Sequence, residues 1–183
     1  MVDAVGLATG TGSAQNPGEE LTFLTVNGDS IDGGWTTQSG STILFPSIDE
    51  HITPNDADYI VSSGAPSADL CKVSLGNLAS GFPLQPFRVR YRTGKNGSRR
   101  VDLGVRLLQG VSEIAAWTHV NVSGVPTTVT QTLTPAQFAL ITNFSNLFLE
   151  FTADLRSGTY VAENGVDVYV TEDGANTYVT EDT

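Results

Sequence analysis

The segment FRVRYR at residues 87–92 alternates strictly between large apolar side chains and arginines. Successive side chains of an extended strand point to opposite faces, so the apolar residues share one face and the basic residues share the other. The basic residues are Arg88, Arg90 and Arg92. This pattern predicts a half-buried β-strand whose outer face is a row of arginines.

A second alternating segment, RRVDLGVRLLQG, follows the first after TGKNGS. The Asn-Gly pair in TGKNGS is typical of a tight turn between two strands. The apolar residues that alternate in the second segment are Val101, Leu103, Val105 and Leu107. We therefore predict a β-hairpin from Phe87 to Leu108, with Arg106 on the return strand near the three arginines.

Short β-prone segments separated by turn residues recur along the rest of the chain and predict roughly eight to ten strands. They include strands at residues 43–45, where Pro46 limits the strand, and at residues 147–155. The segment TPAQFALI at residues 134–141 is the best helix candidate, with Thr134 as the N-cap and a proline at the first helical position. Long helices between the strands are missing from the pattern, which favours an all-β, antiparallel, jelly-roll-like sandwich over a parallel α/β sheet.

Charge falls into three blocks along the chain, whose formal net charge is −11. Residues 1–71 hold ten acidic and no basic residues, whereas residues 72–156 hold nine basic and four acidic residues. Residues 157–183 hold six acidic and no basic residues. The acidic ends are suited to contact the basic middle, within one chain or between copies, although plain solubility also accounts for the pattern. The overall acidity argues against a nucleic-acid partner.

The predicted domain organisation follows from composition. Residues 1–20 are rich in small and polar residues and are predicted to form an N-terminal arm that is flexible or orders only in an assembly. Residues 21–156 are predicted to form the β-sandwich. Residues 157–183, in which YVTED occurs twice, are predicted to form acidic terminal strands or a hairpin. The first residues lack the basic and apolar regions of a signal peptide, and no segment has the length of a spanning helix, so we expect synthesis in a cytoplasm and no membrane partner.

Catalytic and metal-binding motifs are sparse. Cys71 is the only cysteine, and His51 and His119 are far apart, which matches neither a nucleophilic triad motif nor the spacing of a zinc site. Cys71, Trp35 and Trp117 are predicted to be core residues. We therefore predict no enzyme activity and no cofactor, with a small sandwich hydrolase as the least favoured alternative.

Calcium is the ion considered for the acidic loops NGDSIDGG and PNDADY. Neither loop has the ligand spacing of an EF-hand, and Asp residues in such turns more often cap their own backbone, which is the favoured interpretation. The candidate ligands are Asp29, Asp32, Asp56 and Asp58.

The arginine row needs compensation, because like charges side by side repel one another. Cross-strand acids such as Asp102 or Glu150 would supply it within the chain. An acidic surface on another subunit, or an anionic glycan, would supply it from outside. The candidate interface residues are Arg88, Arg90, Arg92 and Arg106.

Four segments carry a family resemblance; they are WTTQSGSTILFPSIDEHITPNDADYIVS, VRYRTGKNG, LGVRLLQGVSEIAAWT and LTPAQFALITNFSNLFLEF. They resemble β-rich proteins that are encoded among the virion structural genes of tailed bacteriophages and prophages. The resemblance spans residues 35–155 and consists of strand motifs, with no active-site residue to transfer. It implies a virion component with a jelly-roll-like fold.

The resemblance further implies a capsid-decoration protein, or a head- or tail-fibre protein, that acts through protein–protein assembly and has host-surface attachment as an added role. Expected partners are other virion proteins and further copies of the chain in a homo-oligomer, for which we consider a trimer. The expected location is the virion, after synthesis in the host cytoplasm. The alternative is a carbohydrate-binding β-sandwich module that recognises host glycans.

Overall fold

The computed structural model describes residues 2–9, 22–50, 53–76, 87–156, 159–161 and 167–169. These residues form strands and very short helices, which confirms the predicted all-β class. The strands are β1 (Val2–Thr9), β2 (Thr22–Ile31), β3 (Thr36–Thr37), β4 (Ile60–Val61), β5 (Asp69–Leu75), β6 (Phe87–Thr93), β7 (Val101–Gln109), β8 (Ser112–His119), β9 (Thr127–Thr132), β10 (Leu147–Leu155), β11 (Thr159–Val161) and β12 (Asp167–Tyr169). The helical elements of the described part are α1 (Pro135–Ala139) and 3-10 turns at Phe45–Ser47 and Phe144–Asn146.

Most strands belong to two antiparallel layers that are joined through β2. The first sheet has the order β3-β4-β1-β6-β9, and the second has the order β2-β5-β10-β7-β8. The first half of β2 pairs with β1, and its second half pairs with β5 through two register shifts. Such irregularities bend a strand, which allows it to serve two sheets. The antiparallel sandwich is therefore confirmed, whereas its jelly-roll character stays a prediction.

The hydrophobic core lies between the two layers. The inward side chains of β10, including Leu149 and Phe151, are fully buried. Phe151 meets Tyr91 of the opposite layer edge to face, with ring centroids 6.2 Å apart. Trp35 is 1% exposed, and its Nε1 donates to the backbone carbonyl of Asp69 at 3.1 Å. Fully burying a large apolar side chain stabilises a fold by about 1.5–3 kcal/mol, so these contacts hold the layers together.

The three predicted core residues are also placed by the structure. Trp35 and Cys71 are buried, as predicted. Trp117 is partly buried and packs against the core from β8. From Cys71 to Leu75 the residues of β5 alternate between buried and partly buried, which is the pattern of a strand with one face on the core.

The predicted β-hairpin from Phe87 to Leu108 is wrong. β6 pairs with β1 and β9 in the first sheet, whereas β7 pairs with β10 and β8 in the second sheet. Residues 94–100 therefore carry the chain from one layer to the other. Alternation shows which side chains face the core, but strands in opposite layers share that alternation. It consequently identifies the faces of β6 and β7 and not their hydrogen-bonded neighbours.

The chain ends also differ in part from the prediction. Residues 2–9, predicted as part of an arm through residue 20, form β1, which lies between β6 and the β2 and β4 strands. Flanking strands satisfy backbone hydrogen bonds whatever the side chains, so a segment poor in large apolar residues can still pair. β11 and β12 form a two-stranded antiparallel sheet within the predicted C-terminal segment. Residues 10–20 lie outside the described residues. So do the second YVTED copy and all of the first copy except Tyr169.

Residues 43–45 do not form the predicted strand. Leu44 is fully buried, but Ile43 is 58% exposed, and Phe45–Ser47 is a 3-10 turn with Pro46 in its first turn. Proline has no backbone N–H to donate to a strand ladder, which favours the turn.

The predicted helix is confirmed in its capping and is shorter than its sequence pattern. The Thr134 side chain accepts a hydrogen bond from the Gln137 backbone N–H at 3.2 Å, and Gln137 completes a capping box. Pro135 occupies the first turn, and the helix ends at Ala139. Within the described part of the chain, no helix has the length and apolar character needed to cross a bilayer.

Candidate functional site

The outer surface of β6 and β9 carries the predicted arginine row. The cross-strand neighbours are Arg88 with Thr132, Arg90 with Thr130, and Arg92 with Thr128. Arg88 is exposed, and Arg90 and Arg92 are partly buried. We call this surface the arginine face. Among the described strands β9 pairs with β6 alone, so its other edge is unpaired within that part of the chain. Backbone groups on such an edge can pair with another chain.

Arg92 is compensated within the chain by Asp56. Its Nη2 donates to Asp56 Oδ2 at 2.8 Å, and its Nε donates to Asp56 Oδ1. The hydrogen bond from Arg92 holds the pKa of Asp56 below its ordinary value. The side chains are 21% and 53% exposed, so the pair contributes little to stability and instead positions the loop around Asp56 beside the arginine face.

Arg106 lies on the other layer, so the prediction that it joins the arginine row is wrong. Its Nε donates to Glu150 Oε1 at 2.7 Å across the β7–β10 pair, and its Nη1 lies 3.6 Å from Glu113 Oε2. The Glu150 side chain is 7% exposed. A carboxylate this buried is costly unless it is paired, so Arg106 serves to neutralise Glu150.

Asp102 is also engaged away from the arginine face. Its carboxylate accepts hydrogen bonds from Arg156 Nε at 2.6 Å and from the Asn121 backbone N–H at 2.8 Å. Burial acts to raise the pKa of Asp102, but these hydrogen bonds outweigh burial, and the net shift is downward. The predicted compensation of the arginine row by Asp102 or Glu150 is therefore wrong. Asp56, which does bind Arg92, lies 36 residues from it, and no local sequence pattern indicates that distant contact.

Two of the four candidate calcium ligands cap backbone turns. Asp29 accepts from the backbone N–H groups of Leu44 and Phe45 at 2.8 Å each, and Asp32 accepts from the Gly33 N–H at 2.6 Å. Asp32 therefore caps its own turn, as the capping interpretation predicts, whereas Asp29 lies in β2 and caps a turn 15 residues further along the chain.

The other two candidate ligands, Asp56 and Asp58, are not brought together with the first two into a metal site. Asp56 binds Arg92, and Asp58 lies near Glu50. Burial raises the pKa of Glu50, and the charge of Asp58 adds to that shift. No group of three or more metal-ligating side chains forms within the described ranges.

The nucleophile and base candidates have structural surroundings. Cys71 is fully buried, and burial raises the pKa of its thiol. His119 Nε2 forms a 2.5 Å hydrogen bond with the Tyr91 hydroxyl, and burial lowers the His119 pKa. Burial likewise raises the pKa of Tyr91 to about 12. His51 lies outside the described residues.

A recess opens at the end of the sandwich where the inward row of β6 finishes. Thr93 follows Tyr91 on this row, is 5% exposed, and its Oγ1 has no hydrogen-bond partner among the described residues. It lines a recess of about 150 Å³ together with Trp35, Ser62, Ser63, Lys95 and Arg99, among others. We call this recess the Thr93 cleft. A wider recess of about 370 Å³ on the His119 side also reaches Thr93.

No motif in the sequence predicts the Thr93 cleft. Its lining comes from segments on both layers and from residues 94–100, for which the sequence predicts the tip of a hairpin. The only local signal is the change from aromatic to hydroxyl side chain at the end of the inward row of β6.

No family model matches the chain, and neither a curated protein nor a solved structure matches it.

Proposed function

We propose that the chain is a structural component of a bacteriophage virion, as a capsid-decoration or head- or tail-fibre protein that acts through protein–protein assembly. The observation that carries the proposal is the arginine face: an exposed arginine, two further arginines and a row of threonines beside the edge of β9 that is unpaired among the described strands. The sequence resemblance supplies the virion setting.

The arginine face is suited to an acidic protein surface. Threonine side chains are short, so Arg88 extends from a level sheet and is accessible to a partner carboxylate. Arginine pairs with carboxylates through two parallel N–H donors, which gives orientation as well as attraction. Complementary charge speeds encounter and fixes register between subunits, and the twenty acidic residues of the chain make a second copy one such partner.

The surroundings of the nucleophile and base candidates support a non-catalytic role. The Cys71 thiol is buried with a raised pKa, which disfavours the reactive thiolate. His119 is held by the Tyr91 hydroxyl and not by a serine or a carboxylate.

The test is incorporation into particles. Particles are assembled in a host that supplies either the wild-type chain or an Arg88→Glu variant, purified on a density gradient, and analysed for the amount of chain per capsid protein. We expect Arg88→Glu to reduce incorporation at least about ten-fold, because it reverses the charge of the most exposed cation of the proposed contact. Arg100→Glu, which makes the same charge change outside the arginine face, serves as the control and should leave incorporation unchanged. Equal incorporation of both variants, or no wild-type chain in the particles, would contradict the proposal.

A further inference from the structure

The Thr93 hydroxyl is the feature that sets the Thr93 cleft apart from an ordinary surface recess. Phe87, Val89 and Tyr91 precede Thr93 on the inward row of β6 and are fully buried in the core. Thr93 continues this row, yet its Oγ1 is buried without a hydrogen-bond partner among the described residues. A buried hydroxyl that lacks a partner costs free energy. The Oγ1 of Thr93 is closed off from solvent, so a ligand in the cleft must displace the Thr93 side chain to reach it, and the hydrogen bond that it then forms offsets the cost of the unpaired hydroxyl.

The cleft offers more space than a single bridging water needs. Its volume is about 150 Å³, whereas one water occupies roughly 30 Å³ in the liquid. The partly buried apolar side chains of Val101 and Leu155 form part of the lining, and the hydroxyl residues Ser62 and Ser63 form another part. An apolar wall combined with a few polar groups is typical of small-molecule sites.

The charges that line the cleft are basic. Lys95 and Arg99, on the segment that crosses between the layers, contribute to the lining, and no acidic residue does so within the described part of the chain. This composition is unusual in a chain with twenty acidic and nine basic residues. Lys95 Nζ donates one hydrogen bond to Asn121 Oδ1 at 2.6 Å, which leaves two of its three N–H donors for a ligand. Arg99 is exposed at the cleft and presents a planar set of donors that suits a carboxylate.

We propose that the Thr93 cleft binds a carboxylated sugar of the uronic-acid class. The ring of the sugar packs on the apolar wall, its hydroxyl groups exchange hydrogen bonds with Thr93 and Ser62, and its carboxylate pairs with Arg99. Threonine and serine hydroxyls both donate and accept, so they match sugar hydroxyls, which do the same. The alternative of a carbohydrate-binding module thus acquires a specific site, which is separate from the arginine face and does not depend on the virion proposal.

The experiment is a titration of the full chain, followed by amide chemical shifts, with D-glucuronate, D-glucose, acetate and inorganic phosphate in parallel. We expect D-glucuronate to shift the amides of residues 93–99 and 61–66 in a saturable manner. D-glucose, which lacks the carboxylate, and acetate, which lacks the ring, should each bind at least about ten-fold more weakly, because each loses one set of contacts. Phosphate binding equal to glucuronate binding would overturn the proposal, since it would indicate an unspecific anion site.

Three variants separate the contributions. Arg99→Gln should weaken D-glucuronate about ten-fold and leave D-glucose unchanged, because only the carboxylate contact is lost. Thr93→Val, which keeps the shape of the side chain, should weaken both sugars. The control is Arg100→Gln, at an exposed neighbour that is not part of the cleft lining. Equal losses in the Arg99 and Arg100 variants, or a Thr93→Val chain that is more stable while no sugar binds to the wild type, would indicate a cleft that holds water only.

Discussion

Arg92 and Asp56, 36 residues apart in the chain, form a two-pronged ion pair at the margin of the arginine face. The pair lowers the charge repulsion along the row of outward arginines, because it gives Arg92 a counter-charge within the chain. It also leaves Arg88, at the other end of the row, as the most exposed cation of the face.

The Asp56 carboxyl reports on this pair. The hydrogen bond from Arg92 is the largest effect on the pKa of Asp56, and it holds this pKa below the ordinary value of 3.8. Arg92→Gln should therefore raise the Asp56 pKa towards 3.8, as measured from the carboxyl carbon shift in an NMR titration. Arg88→Gln is the matched control and should leave the Asp56 pKa unchanged. An Asp56 pKa that is the same in the wild type and in Arg92→Gln would show that the pair does not form in solution.

The Arg106–Glu150 pair makes a prediction about stability. Arg106→Leu leaves the Glu150 carboxylate buried without its counter-charge, and we expect a loss of about 1–2 kcal/mol in the free energy of unfolding, reduced from a fully buried case because Arg106 is half-exposed. Urea unfolding measures this loss. The double variant Arg106→Leu with Glu150→Leu should recover most of it, whereas Glu113→Gln at the exposed partner should change little. A double variant as unstable as the single one would contradict the role assigned to Arg106.

We expect His119 to make the free energy of unfolding depend on pH. Burial lowers the His119 pKa below its ordinary value of 6.5. The unfolded chain therefore takes up a proton near pH 6.5, while the folded chain does so only at lower pH. The unfolded state therefore binds more protons between the two pKa values of His119. The stability that His119 contributes is present above pH 6.5 and is lost as the pH falls from 6.5 towards the pKa of the folded chain. Urea unfolding between pH 5 and 8 should show this loss in the wild type, and His119→Gln should remove it. A pH dependence that is identical in both chains would refute the assignment.

Two adjacent glycines make a matched pair. A Cβ on Gly33, which has φ +54°, would lie 1.6 Å from the backbone oxygen of Leu70, whereas a Cβ on Gly34, which has φ +85°, would meet nothing within 4 Å. Gly33→Ala should cost about 3 kcal/mol or more, because a backbone clash adds to the strain of positive φ. Gly34→Ala should cost about 1 kcal/mol, from backbone strain alone. Chemical denaturation of the two variants decides this, and equal losses would show that the turn differs in solution.

Much of the fold follows from local patterns. β10 has the predicted bounds, Thr134 caps the predicted helix, and Trp35 and Cys71 are buried as predicted. These features depend on the alternation of side chains and on capping chemistry, both of which involve residues close in the chain.

The pairing of strands and the candidate sites depend on contacts between distant residues. β6 and β7 both place apolar side chains in the core, but from opposite layers, and alternation cannot separate these arrangements. Glu150 and Arg106 lie 44 residues apart, and the Thr93 cleft is assembled by the crossing between layers. Turn chemistry at Asn96 and Gly97 predicts a change of direction, but not the sheet that the chain enters next.

The most direct test of the assembly account is hydrogen–deuterium exchange of the chain in purified particles, compared with the free chain. The account predicts slower exchange in particles at β6 and β9, whose outer surface and open edge form the proposed contact, with β8 on the other layer unchanged. Slower exchange confined to β8, or identical exchange of the bound and free chain throughout β6 and β9, would contradict it.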